Sequence, residues 1–509
     1  MSEKKITVRQ EGKEDKVLDA PEGAVFLQLL KRNGYPLVCC SGKGTCGRCR
    51  IRFGQKGAPL PAPADRIAFT PEELRGGLRL ACMHRVRQDC CLQVEFVESR
   101  PVEAVTAHKG ATGNINGRGL QEECPVTDRP APYLIAVDLG TTTIAMQAVE
   151  LPSVKEWQQG GELLIRGEYS CMNPQREWGS DVLSRIQAAA QGQAGALTES
   201  VREGIAEGIG RLVRERGRAP ACIWLAGNTA MEHLLMGLDT AALGRYPFTP
   251  VSLEEMELKL LTGGTQLRIG LLPGISAFVG ADIAAGLLAC GLGKGTEEGC
   301  RLFIDLGTNG EMAIAGKGRL LCTAAAAGPA FEGGAAANVP GTDMLALLAE
   351  MLDQGIIDET GLLEDAYFEH GWQKGRIRIT QQDIRALQMA KAAVCAGVEL
   401  LMEALGAQED DVVQVCLAGG FGYYLDVEKA ARIGLFPAGL AGKVTAVGNT
   451  SLLGACLYGG DPSLREITQA LCRRAEVLNL AEQPGFEARY LSRIHFKKET
   501  KNDEISEDR

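Results

Sequence analysis

The chain has 509 residues, too many for one hydrophobic core, so about two to four domains are expected. A net charge of −10 argues against a general nucleic-acid binder. Its 17 cysteines follow no apolar leader, which excludes a secreted disulfide scaffold. No apolar run reaches the about 18 residues of a membrane span, so a reducing cytoplasm is the expected location.

Residues 1–98 carry 17 Lys/Arg against 12 Asp/Glu, or +5, leaving −15 for the remainder. Ile6–Arg9 and Lys16–Leu18 read as a hairpin, and Ala24–Arg32 as a short helix stopped by Asn33-Gly34. Arg50–Phe53 and Leu92–Val97 alternate as strands do. Between these lies Cys40-Ser-Gly-Lys-Gly-Thr-Cys46-Gly-Arg-Cys49, with Cys82 after 32 further residues. Three thiolates on one Gly-rich loop and a distant fourth suit a [2Fe–2S] cluster. Gly42, Gly44 and Gly47 let the backbone bend around the inorganic core. Cys39 is an alternative to Cys40. Cys90 and Cys91 open the last strand and read as core residues, and His84 as an ordinary surface histidine. Lys43, Arg48, Arg50, Arg52, Arg85 and Arg87 form either a solvated face or a docking surface for an acidic redox partner.

Residues 99–132 are rich in Gly, Pro, Thr and charge without periodicity and read as a flexible linker. From Tyr133 to 495 the texture becomes apolar strands, Gly-rich turns and Ala-rich helices, followed by a charged tail over 496–509. This stretch repeats itself. Asp138-Leu-Gly140-Thr141-Thr142 is echoed by Asp305-Leu-Gly307-Thr308-Asn309, and Gly-Asn228-Thr by Gly-Asn449-Thr, in the same order. Two related α/β lobes are expected, over about 133–300 and 301–495.

Each Asp-Leu-Gly-Thr segment lies between two apolar strands, so each reads as a tight hairpin rather than a strand–loop–helix phosphate site. Turn amides with Thr and Asn side chains suit phosphate oxygens. Asp138 and Asp305, at strand ends, are placed to hold Mg²⁺ through its waters. Ala418-Gly419-Gly420-Phe421, after another apolar strand, suits close approach to a flat adenosine.

These motifs resemble the acetate and sugar kinase, Hsp70 and actin (ASKHA) superfamily. By that resemblance Gly140, Thr141 and Thr142 belong to the first phosphate loop, Gly307, Thr308 and Asn309 to the second, and Gly419 and Gly420 to the adenosine loop. Asp138, Asp305, Glu311 and Glu332 are the catalytic candidates, though Glu311 and Glu332 also suit structural roles. Further segments sharpen the match: Asn173-Pro-Gln175 with Gly179-Ser-Asp181, Pro273-Gly-Ile-Ser276 with Val279-Gly-Ala-Asp282, and Gln382-Asp383-Ile384-Arg385 with Gln388 and Lys391. With the cysteine loop they make the chain resemble the reductive activators of corrinoid proteins. The resemblance implies a β-grasp ferredoxin-like domain, a linker and a two-lobed ATPase. It makes Cys40, Cys46, Cys49 and Cys82 the cluster ligands and Lys391 a nucleotide contact. It further implies ATP with Mg²⁺, a corrinoid protein as partner, a low-potential donor such as a ferredoxin or flavodoxin, and a homodimer as one assembly. Asp138 follows the first domain by only about 40 residues, so the family's middle domain is expected to be absent or reduced. Three rival readings fit the same parts: activation of a radical dehydratase, a metabolite kinase fused to a ferredoxin module, and a pure electron carrier whose ATPase half is a degenerate sensor.

Overall fold

The computed structural model describes residues 3–9, 15–35, 37, 44, 49–54, 57–94, 132–151, 163–293, 299–307, 309–325, 327, 341–374, 377–419 and 425–496. All but the last residue of the expected linker lies outside that set, as do 497–509.

Alternation builds the N-terminal sheet. Strand β1 (Glu3–Arg9) buries Ile6 and Val8, and β2 (Lys16–Pro21) buries Leu18 and Ala20, with Ile6 opposite Leu18 in antiparallel register. Helix α1 (Phe26–Arg32) turns Phe26, Leu27, Leu29 and Leu30 into the same core. Strands β3 (Arg50–Phe53), β4 (Leu78–Leu80) and β5 (Cys90–Val94) complete a mixed sheet of order β2-β1-β5-β3-β4, with β1 and β5 parallel. Two short helices, α2 (Pro63–Ala68) and α3 (Pro71–Arg75), fill the connection from β3 to β4. This is the expected ferredoxin-like domain. The last strand opens at Cys90.

The second sheet has the order β10-β11-β9-β6-β7-β8. Here β6 (Tyr133–Leu139), β7 (Thr143–Glu150) and β8 (Leu164–Met172) form an antiparallel meander. Helix α4 (Ala194–Arg216) then covers one face with Leu197, Val201, Ile205, Ile209 and Leu212, a stripe at helical spacing. It leads to β9 (Cys222–Gly227), parallel to β6, then α5 (Thr229–Met236), the hairpin β10 (Met256–Thr262) and β11 (Thr265–Leu271), and α6 (Ala281–Ala289).

The third sheet, β18-β17-β12-β13-β14-β19, restarts the pattern. Its meander is β12 (Cys300–Asp305), β13 (Glu311–Gly316) and β14 (Arg319–Ala324). A side hairpin of β15 (Trp372–Lys374) and β16 (Ile377–Ile379) precedes the long helix α7 (Gln381–Leu405). Strands β17 (Val412–Ala418) and β18 (Val444–Gly448) follow, then α8 (Thr450–Gly460) and β19 (Glu476–Val477).

The two Asp-Leu-Gly-Thr hairpins are therefore counterparts, β6–β7 and β12–β13. The two Gly-Asn-Thr segments are not. Asn228 follows β9, which lies beside β6, whereas Asn449 follows β18, which is separated from β12 by β17. Gly419 is the positional counterpart of Asn228. The echo arose because both asparagines do the same local job: each side chain caps a helix, accepting from the amide of Met231 or Leu452.

The lobes also exchange helices. Ile283, Ala284 and Leu287 of α6 pack with Phe303, Ala313, Cys416 and Ala418 of the third sheet. Leu452, Ala455 and Tyr458 of α8 pack with Leu134, Ala136, Trp224 and Ala226 of the second. A chain cut at residue 300 is thus no packing boundary. The expected tail boundary shifts too, since Phe496 is fully buried and its amide donates to the Glu359 carbonyl at 2.8 Å.

Glycine makes the crossing of α6 and α8 possible. A Cβ on Gly454 would lie 2.1 Å from the Ala285 carbonyl oxygen, and one on Gly286 2.5 Å from the Phe303 ring. Gly454→Ala gains about 1 kcal/mol of helix propensity. The overlap is with backbone, which no rotamer change relieves, and overpacking of this kind costs about 1–3 kcal/mol or more. We expect a net loss, read as a lower urea midpoint. A midpoint at or above that of the parent protein would show that the helices part freely.

Candidate functional site

The first hairpin is anchored through its carbonyls. The Asn173 side-chain amide donates to the Gly140 carbonyl at 2.8 Å, the Asn173 backbone amide to Thr142 at 2.8 Å, and buried Arg185 to Thr141 at 2.5 Å. A Cβ on Gly140 would sit 2.8 Å from the Thr143 carbonyl oxygen, so the turn closes only with glycine. Both capping asparagines converge here. Asn228 Nδ2 donates to Thr141 Oγ1 at 3.0 Å, and Asn449 Nδ2 reaches across from the other lobe to Asp138 Oδ2 at 2.8 Å. Ser451 Oγ donates to the other Asp138 oxygen at 2.9 Å.

In the second hairpin Asp305 ends β12, and Gly419, at φ +88°, presses against it. A Cβ there would lie 2.7 Å from Asp305 Oδ1 and 3.0 Å from the Leu306 carbonyl oxygen. Gly419 thus abuts the second phosphate-type turn. Asn309 Nδ2 donates to Glu311 Oε1 at 3.1 Å. Gly307 sits in this turn, while Thr308, Gly420 and Glu332 lie outside the described residues.

Carboxylates from both lobes meet between the hairpins. Asp282 stands in the first turn of α6, where its Oδ1 accepts from the Ile283 amide at 2.9 Å. Burial, with a contribution from Asp138, pushes it up to about 7. Its charge is felt in turn at Glu232 and Glu311, both held well above the usual carboxylate range, chiefly by burial. Asp305 adds to the shift at Glu311. Burial also raises Asp138, against the hydrogen bonds from Asn449 and Ser451. Glu232, on α5, is 4% exposed, and its Oε1 has no hydrogen-bond partner. Asp282 is the centre of this group. Such mutual repulsion is relieved by protons, or by a hydrated divalent cation brought with phosphate. Among the described residues no three His, Cys, Asp or Glu side chains gather closely enough to hold a metal directly.

Sequence reasoning selected Asp138, Asp305 and Glu311 and passed over Asp282, Glu232, Asn228, Asn449 and Arg185. The available signals were Asp282 inside a matched segment and the repeated Gly-Asn-Thr. Lys391 belongs elsewhere. Its ammonium donates to the His495 carbonyl at 2.6 Å and stacks over the Phe496 ring, and burial lowers it to about 8. It ties down the chain end and is not brought to the carboxylates, because the helical face carrying it turns toward residues 493–496.

In the N-terminal domain, Cys49 is buried and Cys82 half-buried, while Cys40 and Cys46 lie outside the described residues. Antiparallel pairing of β3 with β4 sets Arg50 opposite Leu80, and the Cys49 carbonyl accepts from the Ala81 amide at 2.7 Å. Two thiols 33 positions apart are thereby carried on neighbouring strand ends. Gly44 of the cysteine loop, at φ +74°, comes against the next residue: a Cβ there would lie 2.7 Å from Met83 Sδ and 2.9 Å from the Ala64 methyl. Gly44, Cys49 and the segment of Cys82 and Met83 thus lie close together, an arrangement that suits a cluster held in part by Cys49 and Cys82. His84 is buried rather than on the surface. Its Nε2 donates to Asp65 Oδ2 at 2.5 Å, and Asp65 also accepts from the amides of Leu80 and Ala62. Burial pushes the Asp65 carboxyl up, but these bonds outweigh it and hold it below its usual range. Asp65 was invisible as a partner because 19 positions separate it from His84. Cys90 is half-buried and protonated, its thiol pushed up to about 11 by burial.

Known proteins share both halves of this arrangement. The family model for the RACo middle region matches residues 133–295, and that for the C-terminal domain of RACo, its ASKHA domain, matches 299–338 and 335–506. The corrinoid activation enzyme RamQ of Eubacterium limosum is 29% identical over 448 residues, covering 75% of this chain and 73% of RamQ. One polypeptide of the Na(+)-translocating NADH-quinone reductase of Chlamydia caviae is 29% identical over 133 residues, only 25% of this chain and 30% of that protein. A solved structure of a reductive activator for a corrinoid, iron–sulfur protein superposes with a TM-score of 0.63 at 23% identity, over 97% of this chain and 98% of that one. The expected loss of the middle domain is overturned: the middle region is present as the first lobe. Reading the Asp138 hairpin as the opening of the ATPase had left no residues to assign to it.

Proposed function

The chain belongs to the family built on the RACo middle region and C-terminal ASKHA domain, and from that premise we propose that it is an ATP-dependent reductive activator of a corrinoid protein. The observation that carries this reading is the union, in one chain, of Cys49 and Cys82 on neighbouring strand ends with two hairpins whose carboxylates meet. When bound, a [2Fe–2S] cluster supplies the one electron that returns inactive Co(II) to Co(I), and a low-potential ferredoxin or flavodoxin replaces that electron.

In this reading Cys40, Cys46, Cys49 and Cys82 hold the cluster. Asp138 and Asp305 face hydrated Mg²⁺. The hairpin turns, the first of them fixed on its carbonyl side by Asn173 and Arg185, offer amides to the phosphates. Asp282, neutral or charged near pH 7, is suited to take the proton of the attacking water. Nucleotide is needed because plant-type clusters lie near roughly −400 mV and cobalt requires a more negative donor. Each 100 mV of uphill transfer costs about 2.3 kcal/mol, within the range of conformational coupling. Asn449 and Ser451, at the start of the helix that the second half of the chain lays on the first sheet, hold Asp138 in place.

The test is anaerobic reduction of a cognate cob(II)alamin protein, followed by its visible spectrum. We expect reduction to require ATP. Equal rates with and without ATP overturn the coupling, and phosphorylation of a metabolite would favour the kinase alternative.

A further inference from the structure

The cluster domain touches both lobes of the nucleotide-binding part. On one side, Lys31 of α1 donates to the carbonyl of Glu177. Glu177 ends the short helical turn Pro174–Glu177, which Asn173 caps, and Asn173 is the residue that braces the first hairpin. On the other side, Glu73 of α3 pairs with Arg378 at 3.5 Å, both half-buried. Arg378 lies just before α7, whose Val394 and Gly397 pack against Gly310 and Met312 of the second hairpin. Each contact therefore meets a segment that supports one of the two phosphate-type turns.

The second contact is built on both sides. Glu73 is fixed by a capping box, accepting from the Thr70 amide at 2.8 Å and its hydroxyl at 3.0 Å. Asp383 is fixed in the same way across the contact, accepting from the Thr380 amide at 2.8 Å and its hydroxyl at 2.6 Å. Arg378 and Arg50 lie within electrostatic reach of both carboxylates. Arg50 stacks over Phe69 and is the residue next to Cys49. Two rigid carboxylates and two arginines thus alternate in sign across the domain junction, one of the arginines adjoining Cys49.

We propose that Arg50 and Glu73, facing Arg378 and Asp383, with Lys31 facing Glu177, form a dock that seats the cluster domain across both lobes. The seat is two-point, and its points lie on different lobes, so it holds only at one degree of cleft closure. Half-exposed ion pairs hold weakly and are screened by salt. That suits a carrier domain which must leave its seat to meet a partner. The dependence on closure rests on the nucleotide binding proposed for the cleft; the dock itself does not.

The test is small-angle X-ray scattering of the full chain. Seated, a chain of this length has a radius of gyration of about 24 Å, and release of the cluster domain on its linker raises this by about 5 Å. We expect the parent protein to be compact at low ionic strength and expanded at high. Lys31→Glu and Arg378→Glu, neither of which removes a helix cap, should each give the expanded curve at low salt. Both variants matching the parent curve would overturn the dock. Adding a non-hydrolysable ATP analogue, with its binding measured by calorimetry on the same samples, should change the parent curve and leave that of the Lys31→Glu/Arg378→Glu double variant unchanged. Bound analogue without any change in the parent curve would overturn closure dependence. Absence of binding would instead remove the nucleotide reading, with the dock still judged on the two variants.

Discussion

Asp282→Asn is expected to lower nucleotide hydrolysis by about 10²–10⁴-fold, the usual worth of a general base, while nucleotide still binds. Asp282 is central because Asp138 adds to its shift and its own charge adds to those of Glu232 and Glu311. The parent's kcat/KM should fall on the acid side with an apparent pKa of about 7, and the Asn variant should lose that limb. Stability carries an independent signature. The folded-state pKa lies above the unfolded value of about 3.9, so the folded form binds the proton more tightly. This contribution is complete below that unfolded value and is lost as pH rises through about 7. The urea midpoint of the nucleotide-free protein should therefore decline across that window, and less so in the Asn variant. Parent-like turnover in the variant would remove Asp282 from the chemistry.

Cys49→Ser or Cys82→Ser is expected to reduce cluster content on the order of tenfold or more, since the soft thiolate is the iron ligand. Visible absorption and the EPR signal of the reduced protein read this directly. Corrinoid reduction should be lost in parallel, with nucleotide hydrolysis retained, because the hairpins and carboxylates belong to other sheets. Cys90→Ser is the control: its thiol is half-buried in β5 and protonated, so the cluster should persist. Full cluster content in both the Cys49 and Cys82 variants would refute the ligand set.

Much of the fold was legible because its signals are local. Alternation in Ile6–Arg9, the Asn33-Gly34 stop and the paired Asp-Leu-Gly-Thr turns each depend on residues within one or two turns of chain. The Gly-Asn-Thr echo shows the limit of that reasoning. Its local meaning, a helix cap after a strand, was sound. Its topological meaning was wrong, because strand order in a sheet depends on crossovers that local sequence does not encode. Lys391 fails similarly, since a helical lysine carries no mark of the face that will cover it. His84 read as an ordinary surface histidine until burial paired it with Asp65.

The sequence by itself determined the chemical inventory: four spaced cysteines, two aspartate-ended hairpins, a glycine loop and the glycines at turns only they can adopt. It did so because thiolate spacing and φ are properties of short segments. Only the tertiary structure decided which groups act together. The exchange of α6 and α8 between lobes brings Asp282 beside Asp138 and carries Asn449 across to hold it, and the β3–β4 pairing sets Cys49 beside Cys82. These are contacts between residues tens to hundreds of positions apart, chosen by burial of whole faces. No single segment contains the free energy that selects them.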